Sequence, residues 1–204
     1  MSGANLTIVD TGCANISSVK FAVERLGIIA NVSDDLQEIS KAQRVILPGV
    51  GSAPAAMRSI KNKQLTECLR TLKQPVLGVC LGMQLMVEYS QENNLGEQVN
   101  TECLGLIPGS VNKMQVGELR LPHMGWNQVT STRENPLFAN IDDGAYFYFV
   151  HGYAVNVYEH TLASCNYHKD FSAAINKDNF FGVQFHPERS SDAGAQLLKN
   201  FAQL

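Results

Sequence analysis

The sequence predicts an α/β fold: an open, mostly parallel β-sheet with helices on both faces, extended by antiparallel strands in the second half of the chain. In the first half, short apolar runs typical of buried strands alternate with stretches of helical periodicity. Such alternation is typical of βαβ units with right-handed crossovers. In the second half, short β-like segments follow one another with turns between them, which is typical of antiparallel hairpins.

The first half contains four predicted strands separated by helices. Leu6–Val9 is the first apolar run, and the helix after it has Asn15 at the N-cap and Gly27 at the C′ position. The polar run Ser33–Asp35 can cap the next, shorter helix. In order, the predicted elements are strand 6–9, helix 15–26, strand 28–32, helix 35–42, strand 45–47, helices 53–60 and 65–72, and strand 76–79.

The second half is predicted to add antiparallel strands to the same sheet, within one domain that spans residues 1–204. The last apolar run, Phe180–Phe185, predicts a buried strand, and a C-terminal helix follows it. The other predicted β-segments are 105–108, 111–114, 125–129, 146–150, 155–158 and 173–175. Together these elements describe a flavodoxin-like sheet, in which ligands bind beyond the C-terminal ends of the parallel strands.

Composition excludes several classes of function. The net charge is -3 and no block of Lys or Arg stands out, which argues against non-specific nucleic-acid binding. No apolar run is long enough to cross a bilayer, and the N-terminus lacks the pattern of a signal peptide. The five cysteines are odd in number and form no C-x-x-C. They predict reduced thiols in the cytoplasm, and neither a disulfide framework nor a zinc cluster.

The stretch Pro75–Gln84 carries the first functional signal. Its order of strand, G-x-C-x-G and helix is that of a nucleophile elbow, with Cys80 where many hydrolases have serine. The sulfur would lie at the strand's C-terminal end and beside a helix N-terminus, whose partial positive charge favours the thiolate. Taken alone, Cys80 is equally well explained as a buried core residue, because free cysteines are often buried.

The sequence His186-Pro187-Glu188, after the last apolar strand, carries the second signal. Residues i and i+2 of an extended chain point to the same side, and Pro187 keeps His186 extended. The carboxylate of Glu188 can then hold one imidazole nitrogen and leave the other to take a proton from a thiol. On its own the segment could be a surface turn. A metal site is disfavoured, because no further His or Cys has matching local spacing.

The turn Pro48–Gly51 is the third signal. It could be a simple turn, and it is neither a dinucleotide fingerprint, because Pro54 occupies the third glycine's place, nor a P-loop, which needs G-K-[ST]. Backbone flanked by glycine at a strand's end can aim amides at an oxyanion, and the amide of Leu81 is the natural second donor. Glycine on both sides of Val50 would also ease a peptide flip, so the predicted oxyanion hole could be switchable.

The combination of G-V-C-L-G-M-Q and F-H-P-E resembles the class I, or triad, glutamine amidotransferases. Within this family, further stretches are similar to the glutaminase subunits of imidazole glycerol phosphate synthases, and the resemblance covers essentially the whole chain. These stretches are V-D-T-G-C-A-N-I, P-G-V-G-S, L-P-H-M-G-W-N at 121–127, Y-F-Y-F-V-H-G-Y at 146–153 and F-F-G-V-Q-F-H-P-E-R-S.

The resemblance implies roles for particular residues. Cys80 would attack the side-chain amide of glutamine to give a glutamyl thioester and ammonia, His186 would shuttle the proton, and Glu188 would orient His186. The oxyanion hole would use the amides of Val50 and Leu81. The implied substrate-binding residues are Gly51, Gln84, Glu88, Gly152 and Tyr153. The family often has Ser or Thr where this sequence has Gly152, so a side-chain contact to glutamine could be lost here.

The resemblance also implies a partner and no cofactor or metal. Ammonia released into water at neutral pH is mostly protonated, so it would pass through a tunnel to a (β/α)8-barrel cyclase subunit in a heterodimer. The cyclase products would be imidazole glycerol phosphate, for histidine biosynthesis, and aminoimidazole carboxamide ribotide. The implied interface residues are Asn15, Trp126, Tyr146 and Arg189.

Several alternatives stay open at this point. Trp126 could instead be a core or strand aromatic, and His123 and His151 are expected to be structural or interfacial. The chain could be a non-catalytic binding module on the same scaffold, although an intact Cys80, His186 and Glu188 set disfavours this. It could also be a hydrolase that works without a partner.

Overall fold

The computed structural model describes residues 6–12, 15–93 and 100–204. The helices are α1 (Ile16–Glu24), α2 (Leu36–Lys41), α3 (Ala53–Asn62), α4 (Leu65–Thr71), α5 (Leu81–Met86) and α6 (Ser191–Phe201), with short 3-10 helices at Pro136–Phe138 and Pro187–Arg189. The first strands are β1 (Leu6–Val9), β2 (Ala30–Ser33), β3 (Arg44–Leu47), β4 (Val76–Val79), β5 (Tyr89–Ser90) and β6 (Thr101–Glu102). The remaining strands are β7 (Ser110–Lys113), β8 (His123–Ser131), β9 (Ala145–His151), β10 (Tyr153–Val155), β11 (Thr161–Tyr167), β12 (Lys169–Lys177) and β13 (Phe180–Val183).

Within the described residues, nine strands form one sheet in the order β2-β1-β3-β4-β13-β12-β11-β8-β9. The strands from β2 to β13 in this order pair in parallel, and those from β12 to β9 are added antiparallel. A smaller sheet has the order β10-β7-β5-β6. The mostly parallel α/β sheet with antiparallel additions, predicted from the sequence, is therefore confirmed, whereas the smaller sheet was not predicted.

Side chains of the parallel strands alternate between two apolar clusters. On β3, Ile46 belongs to one cluster, while Val45 and Leu47 belong to the other. The first cluster contains residues of α1 and α6, and the second contains residues of α2 to α5. Helices therefore cover both faces of the sheet. This double burial explains why the parallel strands are continuous apolar runs in the sequence.

Most predicted elements lie within a few residues of the observed ones. Asp35 caps α2 as predicted, accepting from the amides of Gln37 and Glu38 at 2.8 and 3.0 Å. Asn15 occupies the N-cap position of α1, but within the described chain its side chain makes no capping hydrogen bond. Among the described residues, no helix is long and apolar enough to cross a membrane.

Predictions in the second half differ from the structure at three places. The predicted segment 155–158 shares only Val155 with the observed strand β10. Residues 105–108 form a bend instead of a strand, because the amides of residues 105–107 donate to the end of α5 and the residue after it, as in Leu106 N to Met86 O at 2.7 Å. The strand β11 was missed, because its sequence T-L-A-S-C-N-Y mixes apolar and polar residues without clear alternation.

Candidate active site

Cys80 lies directly between β4 and α5, in a strained backbone conformation. Its φ is 53° and its ψ is -111°, a region that residues other than glycine rarely adopt. Hydrogen bonds on both sides hold it there: Cys80 N donates to Val183 O at 2.8 Å, and Gln84 N donates to Cys80 O at 3.2 Å. Such strain is concentrated at functional sites. The structure thus has the strand-turn-helix geometry expected for a nucleophile elbow.

The glycines around Cys80 are required by close packing. A Cβ at Gly78 would lie 2.7 Å from the backbone nitrogen of Met83, and one at Gly82 would collide with the carbonyl oxygen of Leu47. A Cβ at Gly49 would lie 2.8 Å from the nitrogen of Gly82. The elbow and the turn after β3 therefore touch backbone to backbone. This contact brings Val50 and Leu81 to the same cavity.

His186 and Glu188 form a buried pair at the end of β13. The Nδ1 atom of His186 lies 2.8 Å from Oε1 of Glu188, whose side chain is only 4% exposed. The backbone of His186 is fixed by its amide, which donates to Tyr148 O at 2.9 Å, and by its carbonyl, which accepts from Ser190 Oγ at 2.7 Å. With Nδ1 held by the carboxylate, Nε2 is the ring nitrogen left for the sulfur of Cys80.

Burial and charge act in opposite directions on His186. Burial lowers the pKa of this histidine, but interactions with Cys80 and with Glu188 outweigh it and raise the pKa to about 10. At neutral pH the ring is therefore held as an imidazolium. A cation beside Cys80 stabilises negative charge on the sulfur.

A cavity of about 380 Å³ collects most of the residues singled out from the sequence. Its volume is within the range of small-molecule sites. The predicted residues that line it are Cys80, His186, Glu188, Val50, Leu81, Gly51, Gln84, Gly152, Tyr153, Asn15 and Arg189.

Glu88 lies outside this cavity, in contrast to the expected role in substrate binding. The helix α5 ends at Met86, so Glu88 is exposed and its carboxylate accepts from Gly109 N at 3.2 Å. Glu92 lines the cavity instead, and its Oε2 accepts from Ala53 N, at the start of α3, at 2.7 Å. Burial raises the pKa of Glu92. The sequence missed this residue, because the polar stretch around it has no periodicity or motif.

Gln84 is held by two donated hydrogen bonds. Its Nε2 lies 2.9 Å from Tyr153 O and 2.9 Å from Oε1 of Gln184. Both amide hydrogens are thereby used, which leaves Oε1 of Gln84 to accept from a ligand in the cavity. Gln184 is fully buried, and its Nε2 lies 3.8 Å from Cys80 Sγ. The signal that could have identified Gln184 is a polar residue between the apolar residues Val183 and Phe185.

His123 and His151 form a buried pair beside the cavity, and His151 is one of the residues that line it. Nδ1 of His151 is 2.9 Å from Tyr153 O, which can only accept, so this nitrogen carries the proton. Its Nε2 then accepts from Nδ1 of His123 at 3.0 Å. Burial lowers the pKa of His123 to about 4 and is the main reason why the pKa of His151 falls to about 3. Both rings are therefore neutral at neutral pH, which fits the expected structural role.

This histidine pair should make the fold sensitive to acid. The unfolded chain protonates both rings near pH 6.5, whereas the folded chain does not, so their contribution to stability is present above pH 6.5. It is lost as the pH falls towards 4 and 3, by up to about 1.4 kcal/mol per pH unit for each ring. The free energy of unfolding, measured with urea between pH 4 and 8, should depend less steeply on pH in His151→Gln than in the native chain. The surface variant His168→Asn is the matched control, and an equal slope in both variants would contradict the assignment.

An exposed apolar face on β8 and β9 adjoins the cavity. Met124, Trp126 and Tyr146 are 63%, 52% and 55% exposed. Trp126 pairs with Tyr148 across the strands, and Arg189, at the cavity, lies with its Cζ 5.4 Å from the Tyr148 ring centroid. Trp126 is therefore not a core residue, but it is a strand aromatic on β8, which is the other form of that alternative. The aromatic face continues to the cavity through Tyr148 and Arg189.

Comparison with known proteins gives matches along nearly the whole chain. The family model "Glutamine amidotransferase class-I" matches residues 7–204. The imidazole glycerol phosphate synthase subunit HisH of Vibrio parahaemolyticus is 49% identical over 204 residues and 100% of both chains. The subunit of the same name from Haemophilus influenzae is 53% identical, over 98% of this chain and 97% of its own.

Solved structures show the same fold at low identity. A putative GMP synthase subunit from Thermoplasma acidophilum superposes with a TM-score of 0.74 at 16% identity, covering 100% of this chain and 94% of its own. The structure of PurLQS from Thermotoga maritima gives 0.69 at 17% identity and 97% of both chains.

Proposed function

This chain belongs to the class I glutamine amidotransferase family, and we propose that it hydrolyses L-glutamine as the glutaminase subunit of an imidazole glycerol phosphate synthase. The observation that carries the proposal is the meeting of three groups at one cavity. These are the strained Cys80, the imidazole of His186, and the carboxylate of Glu188 at 2.8 Å from that imidazole. They supply the nucleophile, the acid-base group and the orienting group of a triad.

In the first half of the proposed reaction, the Cys80 sulfur attacks the side-chain carbonyl carbon of glutamine. The C–S bond forms, and the carbonyl oxygen becomes an oxyanion held by the amides of Val50 and Leu81. The amide of Leu81 suits this role, because the first residue of α5 has no acceptor within its helix. His186, already protonated, gives its proton to the leaving nitrogen, and the C–N bond breaks to release ammonia.

In the second half, water hydrolyses the glutamyl thioester. The acylated sulfur carries no negative charge, so the influence of Cys80 that raises the pKa of His186 is removed. The ring can then take a proton from water, which attacks the thioester carbon and releases glutamate. The sulfur leaves as the thiolate and His186 is protonated again. Glu188 holds Nδ1 throughout, which keeps Nε2 directed at the reacting atoms.

The cavity offers hydrogen-bond acceptors for the α-ammonium group of glutamine. Oε1 of Gln84 and the carboxylate of Glu92 are the acceptors, and Gly51, Gly152 and Tyr153 line the same cavity. Burial raises the pKa of Glu92. A bound ammonium group would offset this burial, which supports Glu92 as the residue that recognises the amino-acid end of the substrate.

An electrophilic glutamine analogue should alkylate Cys80 in the full chain, and free glutamine should protect it. Glu92→Gln should raise the half-saturating concentration of the analogue about tenfold to a hundredfold, because a hydrogen bond to a charged group contributes ~1.5–3 kcal/mol. Peptide mass spectrometry locates the label and gives the rate at each concentration.

Glu88→Gln is the matched control, since it makes the same chemical change outside the cavity, and it should leave half-saturation unchanged. Equal effects of the two variants would contradict the role of Glu92. Failure of the analogue to label Cys80 in the native chain would contradict the glutaminase itself and favour a non-catalytic module on this scaffold.

The proposed partner is a (β/α)8-barrel cyclase that receives ammonia through a tunnel in a cytoplasmic heterodimer. Ammonia that escapes into water is protonated, so coupling requires a partner over the cavity mouth. The exposed face of Trp126 and Tyr146, with Asn15 and Arg189 at the cavity, supports docking there. Val50 is 41% exposed between Gly49 and Gly51, and the φ of Gly51 is 99°. A docked partner could therefore set the orientation of this peptide.

A further inference from the structure

We propose that Gln184 is a further catalytic residue, whose amide nitrogen donates a hydrogen bond to the Cys80 sulfur and stabilises negative charge on it. The inference rests on the proposed role of Cys80 as nucleophile and adds a group to that site. Gln184 lies between β13 and His186, is 0% exposed, and places Nε2 at 3.8 Å from Cys80 Sγ.

The neighbours of Gln184 determine which end of its amide faces the sulfur. The carbonyl of Tyr153 can only accept, so the atom of Gln84 that lies 2.9 Å from it is the nitrogen. The second hydrogen of that nitrogen points to Gln184, also at 2.9 Å. The end of Gln184 facing Gln84 must therefore be its oxygen. The end facing Cys80 is the NH₂ group, which can only donate.

The surroundings also hold this donor in place. The backbone nitrogen of Gln184 donates to Ala173 O at 2.8 Å, and the Gln84 side chain that holds its oxygen is itself 5% exposed. Turning the Gln184 amide would leave buried polar groups without partners, which is costly. A donor fixed against a thiolate makes a charge-assisted hydrogen bond, which is stronger than one to a neutral group.

The sulfur thus faces donors from two directions. His186 approaches as the proton donor of the triad, and Gln184 approaches from the buried side of the elbow. The charged or titratable groups that line the cavity with Cys80 are His186, Glu188 and Arg189 from the segment after β13, Glu92 from the loop after β5, His151 from β9 and Tyr153 from β10. Substitution of Gln184 by an uncharged residue changes none of these groups. A shift in the pH dependence of Cys80 alkylation therefore results from the loss of the Gln184 amide.

The test is the pH dependence of Cys80 alkylation by iodoacetamide in Gln184→Met, with the label assigned by peptide mass spectrometry. Methionine matches the length of glutamine but cannot donate. The midpoint of the profile should rise by about one to two pH units, and kcat for glutamine should fall about tenfold to a hundredfold with a smaller change in KM. If Gln184→Met does not fold, Gln184→Leu also removes the donor and adds no charge beside the sulfur.

Asn200→Leu is the matched control, because it removes a buried amide whose Nδ2 donates to Leu137 O and Ala139 O at 3.0 and 2.7 Å, away from the cavity. It should lower the melting temperature and leave the alkylation midpoint unchanged. An unshifted midpoint in a folded Gln184 variant would overturn the inference. The proposed function would survive that result as long as the glutamine analogue labels native Cys80 and glutamine protects it.

Discussion

Replacing Cys80 with alanine should abolish glutamine-dependent synthesis by the assembled complex and leave ammonium-dependent synthesis nearly unchanged. Without the sulfur no thioester forms, and removing the nucleophile of a triad lowers kcat by ~10⁴-fold or more. Added ammonium salts bypass the glutaminase, because the acceptor chemistry is proposed to occur on the partner. The measurement is the rate of product formation with saturating glutamine and, separately, with ammonium salt.

Cys165→Ala is the control for this experiment. Cys165 is also buried, at 3% exposed on β11, but it does not belong to the residues that line the cavity. This variant should retain both activities. If Cys80→Ala instead lost the ammonium-dependent reaction while still folding and docking, the assignment of Cys80 to the release of ammonia from glutamine would be contradicted.

The parts of the fold that could be predicted are those in which local sequence and tertiary burial agree. The parallel strands are buried on both faces, so Val45, Ile46 and Leu47 form an uninterrupted apolar run. The glycines beside Cys80 are needed for backbone contact at the elbow, and that need is visible as G-x-C-x-G. The pairing of His186 with Glu188 spans only two residues, so it too could be anticipated, although Glu188 lies in a 3-10 helix and not in the extended chain that was expected.

What could not be predicted depends on contacts between distant segments. The amide of Cys103 donates to Glu88 O at 2.9 Å, and Glu88 N donates to Gly109 O at 3.1 Å. Because these bonds hold the backbone of Glu88, the helix α5 ends at Met86 and Glu88 lies outside the cavity. The contact of Glu92 with the start of α3 and the packing of Gln184 against Cys80 are equally non-local. A glutamine or glutamate in such a position has no local pattern that separates it from a surface residue.

The exposed apolar face of β8 and β9 is the surface that we propose the partner covers. Large aromatic side chains contribute most of the binding energy at protein interfaces, and Trp126 is half exposed beside the cavity. Val50, at the same cavity, is flanked by the two glycines that would allow its peptide to turn. A partner seated on this face would reach the proposed oxyanion hole. Docking and activation of the glutaminase should therefore be lost together.

Truncating Trp126 to alanine should accordingly weaken cyclase binding by ~2–4 kcal/mol, about 30-fold to 1000-fold in Kd. It should also reduce the rise in glutaminase rate that we expect when the proposed cyclase is added. Titration calorimetry and glutamate release measure the two effects. Ile29→Ala is the control: Ile29 is 70% exposed, but it precedes β2, the strand at the edge of the nine-stranded sheet opposite to β8 and β9. Strong glutaminase activity of the native chain without any partner would contradict the proposed activation by docking, because the Val50 peptide would then already be oriented for catalysis.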